Sequence, residues 1–195
     1  MEVKIKIENV VASAGINQEI DLNAILTAFS YPTAEYRPET FPGLVYRIEE
    51  PKSAILVFNT GKFVCTGTKN EKDAKRAIKK VIRQLRKAGV IKEECHPEIA
   101  IQNIVASVKL GDNLLIDLDR AAFELHEPGE AQAMYEPDQF PGIVYRTRGS
   151  NIVLLIFRSA KLVCPGAKKE EDIPIAVERL RTKLEEKNLL IPATY

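Results

Sequence analysis

The chain has 195 residues, of which 45% are hydrophobic and 28% charged, a composition typical of a globular protein with one or two domains. Its apolar runs are too short to span a bilayer, and no signal-peptide segment follows Met1, so we expect a cytoplasmic protein without a membrane partner. The three cysteines include no CxxC pair and predict neither a disulfide framework nor a zinc site.

The formal net charge of +1 conceals a difference between the two halves. Residues 1–97 carry 16 basic and 12 acidic side chains, whereas residues 98–195 carry 12 basic and 15 acidic ones. A partner could therefore distinguish one half from the other by charge.

The chain contains an internal duplication. The segment Tyr36–Lys69 aligns without a gap to Tyr135–Lys168 at an offset of 99 residues, with 15 identities over 34 positions. Upstream, Ile7–Ser13 matches Ile101–Ser107. We therefore predict two repeats, residues 1–97 and 98–195, related by a pseudo-twofold axis and presenting one surface to a common partner.

In chain order each half is predicted as a strand, a short helix, several strands and a long helix. The first-half strands are expected at Lys4–Ala14, Ala34–Arg37, Leu44–Glu49, Ala54–Asn59 and Lys62–Thr66, and its helices at Leu22–Phe29 and Glu71–Ala88. In the second half a strand is expected at Glu98–Lys109 and helices at Leu118–Leu125 and Ile173–Asn188. Asp21 and Asp117 are predicted N-caps, and Gly89 a C-cap.

Two helices per half can cover only one face of the sheet, yet the strands are apolar on both faces. The uncovered face would carry Val11, Val45, Leu56, Phe58 and Val64, with Val105, Val144, Leu155, Phe157 and Val163 as their repeat equivalents. A contiguous apolar face of this kind usually marks a binding surface. Two sheets packed together, or a homodimer, would bury the same face and are the alternatives.

Four phenylalanines recur at equivalent positions, Phe41 and Phe58 in one half and Phe140 and Phe157 in the other. Phe41 stands in a Pro-Gly turn, and Phe58 is predicted as the last residue of its strand. A single phenylalanine is usually a core residue. The turn position and the recurrence instead favour a pair of wedges at each end of a surface.

Polar residues recur with the same symmetry. Asn9 and Asn103 lie mid-strand, where an unpaired amide is unfavourable, so either a ligand or a bond to a neighbouring loop must account for them. The basic residues Arg47, Lys62 and Lys69 return as Arg146, Lys161 and Lys168 at the edges of the apolar face. Such cations are suited to phosphate contacts.

Catalytic and cofactor motifs are absent from the sequence. It has no GxGxxG, P-loop, HExxH or GxSxG pattern, and its two histidines are not repeat equivalents. We expect neither an enzyme nor a bound cofactor or metal.

With these motifs the chain resembles the TATA-box-binding protein family in its archaeal form. The motifs are Ile101-Gln102-Asn103-Ile104-Val105 with its first-half copy, Tyr135–Gly142, and the run from Phe58 to Gly67. The resemblance implies an α+β fold, a pseudo-twofold saddle with a curved ten-stranded antiparallel sheet and four helices on its convex face. It also implies a general transcription initiation factor, since this family is itself a standard example of minor-groove binding with inserted wedges.

The resemblance assigns roles to residues that match the family pattern. The four phenylalanines would insert between base steps, and Asn9 and Asn103 would bind central minor-groove acceptors. The apolar floor would be Val11, Val45, Leu56 and Val64 with Val105, Val144, Leu155 and Val163, and the phosphate edges would carry Arg47, Lys62, Lys69, Arg146, Lys161 and Lys168. Thr66 matches a family threonine that faces the groove, but Pro165 replaces it in the second half.

Partners follow from the same resemblance. Glu136 and Asp138 match acidic positions that meet transcription factor B, whereas their first-half equivalents are Arg37 and Glu39. The implied partners are double-stranded TATA-box DNA, transcription factor B and the RNA polymerase preinitiation complex, with a nucleoid location and a possible homodimer when DNA is absent. A protein-interaction module remains an alternative, and an RNA-binding platform is disfavoured because the aromatics avoid mid-strand positions.

Overall fold

The computed structural model of the chain describes residues 3–193, which contain four helices and twelve strands. The first-half elements are β1 (Lys4–Gly15), α1 (Leu22–Ala28), β2 (Ala34–Glu35), β3 (Leu44–Glu49), β4 (Lys52–Val57), β5 (Lys62–Thr68) and α2 (Glu71–Lys87). The second-half elements are β6 (Ala100–Lys109), β7 (Leu114–Ile116), α3 (Leu118–Leu125), β8 (Ala131–Tyr135), β9 (Ile143–Thr147), β10 (Val153–Ile156), β11 (Lys161–Ala167), α4 (Asp172–Glu186) and β12 (Leu190–Pro192).

The chain divides into two compact units. One is Asn9–Gln102, and the other joins the described residues up to Glu8 to those from Asn103 onwards. In the first unit the antiparallel strands follow the order β2-β3-β4-β5-β1, and in the second the equivalent strands follow β8-β9-β10-β11-β6. The predicted α+β class, with two duplicated halves of five sheet strands and two helices each, is confirmed.

Alternation along the strands separates a buried face from a half-exposed one in each unit. In β4 and β5 the side chains of Ile55, Val57 and Phe63 are fully buried. Leu56 and Val64, which oppose each other in the β4–β5 register, are half-exposed. The period of two in burial follows from the pleat of a strand, and the buried face is the one on which the helices pack.

The long helix α2 closes the buried face of the first unit. It begins after Asn70, whose side chain accepts a hydrogen bond from the Asp73 backbone N–H, and it buries a stripe of small and branched side chains. Gly89 follows the C-cap with a φ of +75°, a left-handed conformation that glycine adopts without a steric penalty. The predicted C-cap at Gly89 is one residue late, because the helix ends at Lys87 and Ala88 is its C-cap.

The short helices begin at their predicted caps. Asp21 accepts hydrogen bonds from two backbone N–H groups of α1, and Asp117 accepts one from Arg120 N in α3. The pairing of β7 with β12, which form a separate two-stranded sheet, was not predicted. No helix in residues 3–193 is both long and apolar enough to cross a membrane.

Candidate nucleic-acid interface

Each unit carries one copy of the uncovered strand face. Every apolar residue predicted for this face is half-exposed, in contrast to the buried residues that alternate with it. The first copy contains Val11, Val45, Leu56, Phe58 and Val64, and the second contains Val105, Val144, Leu155, Phe157 and Val163. Within a copy the strand register brings these side chains together, for instance Leu155 opposite both Val144 and Val163.

A pair of phenylalanine rings lies at one end of each copy. The Phe41 and Phe58 ring centroids are 5.9 Å apart with planes at 66°, and those of Phe140 and Phe157 are 5.7 Å apart at 63°. Both are edge-to-face arrangements, which the ring quadrupoles favour. Phe58 was expected to be the last residue of its strand. Phe58 and Phe157 instead lie just after β4 and β10, because the chain turns there.

Glycine makes these ring pairs possible. A β-carbon added at Gly43 would lie 2.7 Å from Phe41 Cε1, and one added at Gly142 would lie 2.8 Å from the Ile156 carbonyl oxygen. Both distances are shorter than any normal carbon contact. The Phe-Pro-Gly turn therefore needs its glycine so that the ring can fold back against its partner.

Both asparagine amides are fixed by a bulged neighbouring strand. Gly67 N–H donates to Asn9 Oδ1 and Gly166 N–H donates to Asn103 Oδ1, each at 2.8 Å. The glycines have φ values of +96° and +97°, and both strand pairings shift register near them. A backbone N–H can donate only to the amide oxygen, so these bonds fix which end of each amide is Nδ2.

The two amides differ in what Nδ2 meets. Asn9 Nδ2 donates to Thr66 Oγ1 at 3.1 Å. Pro165 occupies the position equivalent to Thr66 and offers no hydroxyl. Among the described residues Asn103 Nδ2 has no acceptor within hydrogen-bonding distance, although the side chain is only half-exposed. The second copy thus holds a fixed, unpaired donor within an apolar surface.

The predicted cations lie at exposed positions on β3, β5, β9 and β11 or, for Lys69 and Lys168, directly after β5 and β11. Arg47, Lys62 and Lys69 in the first unit, and Arg146, Lys161 and Lys168 in the second, are all exposed. Arg47 forms an ion pair with Glu35, in which Arg47 Nη1 lies 3.1 Å from Glu35 Oε2. Glu35 also binds Arg37 at 2.8 Å. These ion pairs were not predicted.

Glu136 and Asp138 are exposed in the turn after β8. The Glu136 carbonyl accepts from the N–H groups of Gln139 and Phe140, both at 2.9 Å, which fixes the turn next to the second ring pair. The carboxylates are therefore presented outwards from a defined turn.

Besides this face, the described residues include one cavity beside α4 and two buried thiols. A cavity of about 770 Å³ lies between α4 and the β9–β10 connection, and Lys168 is its one predicted site residue. No cluster able to hold a metal ion occurs in residues 3–193. Burial raises the pKa of the Cys65 thiol to about 11 and that of Cys164 to about 12, as expected for small core residues.

A family model described as transcription factor TFIID, or TATA-binding protein, matches residues 4–88 and again 98–187. The chain belongs to the TATA-binding protein family. The two matches cover most of both halves, in agreement with the internal duplication.

Relatives in the family match almost the whole chain. It is 48% identical to the TATA-box-binding protein of Archaeoglobus fulgidus over 183 residues, which is 94% of this chain and 96% of that protein. It is 44% identical to that of Pyrobaculum calidifontis over 185 residues, 95% of this chain and 88% of that protein. A solved structure of Methanococcus jannaschii TBP aligns with a TM-score of 0.76 at 44% identity, covering 94% of this chain and 99% of that one.

Proposed function

We propose that the chain is a general transcription factor that binds the minor groove of TATA-box promoter DNA, bends it and nucleates the preinitiation complex. Family membership supports the function, and the observation that carries the mode of binding is the Asn103 amide. Its oxygen is fixed by Gly166 N–H at 2.8 Å, and its nitrogen has no hydrogen-bond acceptor among the described residues although the residue is half-exposed on an apolar strand face.

The chemistry of that face suits A·T pairs. In the minor groove A·T and T·A present only acceptors, whereas G·C adds an amino donor that protrudes from the floor. An amide donor surrounded by valine and leucine side chains pairs with the acceptors and leaves no partner for the amino group. Such a face selects A·T pairs without reading their order.

The ring pairs extend this selection to the ends of the element. Phe41 with Phe58 and Phe140 with Phe157 would insert between base steps, and the TA step is the one that unstacks most readily. The exposed cations at the strand edges would bind the phosphates, which fixes the position of the duplex without specifying sequence. Binding of this kind needs no catalytic group.

A binding assay with two duplexes tests the proposal. One duplex carries a TATA element and the other carries G·C pairs at its centre, and fluorescence anisotropy is read at fixed salt. We expect clear preference for the TATA duplex and weaker binding as the salt concentration rises. Equal binding to both duplexes would contradict the proposal.

Glu136 and Asp138 form the proposed contact with transcription factor B, through which RNA polymerase would be recruited in the nucleoid. Their exposure and outward presentation support this role. In a gel-shift assay Glu136→Arg should leave the binary complex near normal and abolish the ternary complex. Glu39→Arg, at the position equivalent to Asp138, is the matched control and should keep it. An undiminished ternary complex with Glu136→Arg would count against the assignment.

The same apolar face could cover a second copy of the chain when DNA is absent. Analytical ultracentrifugation with and without a TATA duplex tests this arrangement. A dimer that uses the face must dissociate as DNA binds, whereas a dimer that persists on DNA would place its interface elsewhere.

A further inference from the structure

The ion pair between Glu35 and Arg47 distinguishes the two copies of the proposed DNA surface. Glu35 stands opposite Val45 in the β2–β3 register, so its side chain shares the uncovered face with that valine. Its two carboxylate oxygens hold Arg47 at 3.1 Å and Arg37 at 2.8 Å. The Glu35 side chain is 23% exposed and that of Arg47 is 46% exposed. A carboxylate therefore lies at the edge where a phosphate contact is proposed.

The second copy has the arginine but lacks the carboxylate. The repeat offset of 99 residues places Met134 at the position of Glu35, and Met134 stands opposite Val144 in the same register. Met134 is 50% exposed. In the part of the chain that the structure describes, Arg146 makes no ion pair. The same arginine thus occurs twice, once paired with a carboxylate that it shares with Arg37 and once without an ion pair among the described residues.

We infer that Glu35 is a specificity-determining residue that weakens the contact of the first half with the DNA backbone. This inference rests on the proposed function. A phosphate that approaches Arg47 must displace a carboxylate that already occupies the guanidinium, and it is repelled by the carboxylate as well. Arg146 has no carboxylate paired with it in residues 3–193, so a phosphate would not have to displace one of them. The second half therefore binds the backbone more strongly at this position, which gives a nearly symmetric surface a direction.

Exchanging the two residues tests the inference. Glu35→Met places the second-half residue in the first half, and Met134→Glu does the reverse. Glu35→Met should tighten binding to a TATA duplex by about two- to fivefold at low salt, the range expected for one exposed ion pair. It should also steepen the dependence of log affinity on log salt by about one, as one more phosphate contact requires. Met134→Glu should change both quantities in the opposite sense.

Two further variants separate this effect from a general change in charge. Arg47→Ala in the Glu35→Met protein should remove the whole gain, because the gain is assigned to that arginine. Glu94→Met removes the same charge and releases Arg86 from an ion pair of 3.2 Å, but on the helical side of the first unit. We expect no change in DNA affinity from Glu94→Met.

The outcomes are distinct from those of the proposed function. The inference is overturned if Glu35→Met binds DNA like the wild type while remaining folded by circular dichroism. It is also overturned if Glu94→Met gives the same gain, or if the gain survives Arg47→Ala. A wild-type protein that shows no preference for TATA overturns the proposed function itself, whatever the variants do.

Discussion

Asn103→Asp separates the two ends of one amide, since it replaces the Nδ2 donor by an oxygen and leaves Oδ1 in place. The Gly166 N–H can still donate to the carboxylate over the observed 2.8 Å, so the fold keeps its bond at the bulge. Because a charged acceptor makes this bond at least as strong, we expect the free energy of unfolding to change by less than about 1 kcal/mol. A melting curve checks this expectation.

The effect on DNA binding should be much larger. In the variant an aspartate oxygen replaces Nδ2 and faces the acceptors on the floor of the minor groove. The hydrogen bond donated by Nδ2 is therefore lost, and both the aspartate oxygen and the base acceptor remain desolvated without a partner. Each unpaired group costs about 1–3 kcal/mol, so the two together predict a loss of at least about 2 kcal/mol, or about 30-fold in affinity. Fluorescence anisotropy with a TATA duplex at one fixed salt concentration measures it.

The neighbouring residue provides the control for this variant. Gln102→Glu makes the same amide-to-carboxylate change and adds the same charge, at an exposed side chain that donates to Ser13 Oγ. It should weaken binding by no more than a few-fold, through charge alone. If Asn103→Asp bound TATA DNA like the wild type, or no worse than Gln102→Glu, Asn103 would not be the donor.

The phenylalanine rings, the bulge at Gly166 and the cysteine thiols can each be probed by one measurement. Phe157→Ala should weaken TATA binding by about 1–3 kcal/mol, since one stacked ring is lost, and should reduce the DNA bend measured by end-to-end energy transfer. An unchanged bend would contradict the insertion of Phe157 between base steps. Gly166→Ala should lower the free energy of unfolding by more than about 2 kcal/mol in chemical denaturation. The reason is that φ is +97° and the new β-carbon would lie 2.1 Å from the Asn151 carbonyl oxygen. An unchanged free energy of unfolding would show that the bulge relaxes. In the native protein at pH 8 only Cys95 should react quickly with a thiol reagent, because the Cys65 and Cys164 thiols are fully buried with raised pKa values. Fast reaction of all three thiols would contradict the burial of Cys65 and Cys164.

The duplication and the period-two pattern were sufficient to predict the architecture. Alternating residues such as Ile55 and Leu56 could be assigned to two faces, and counting helices showed that only one face is covered. Element ends were harder to predict, since they depend on local hydrogen bonds. α4, for example, begins at Asp172 and ends at Glu186, whereas Ile173–Asn188 was expected.

The orientation of the asparagines needed the structure. The sequence offered a ligand or a loop as the partner of each amide. The structure shows that a bulge holds the oxygen, and that Asn103 Nδ2 has no acceptor in residues 3–193. The signal was present in the glycines at 67 and 166, which recur two residues after the buried cysteines. Their positive φ could not be recognised without the register shift beside them.

The face of the sheet that Glu35 occupies could not be predicted from the sequence. β2 has only two residues, too few for a periodic pattern, so the face that Glu35 occupies follows only from its pairing with Val45. The β7–β12 pair was missed for a related reason, since each of its strands has three residues and the two come from distant parts of the chain.

Recognition through the minor groove can be separated from recognition through the major groove by replacing every A·T pair of the element with an inosine·cytosine pair. Inosine lacks the amino group that guanine places in the minor groove, while the major-groove edge of the pair remains that of G·C. We expect the inosine duplex to bind nearly as tightly as the TATA duplex and far more tightly than its G·C counterpart. Binding of the inosine duplex as weak as that of the G·C duplex would contradict it.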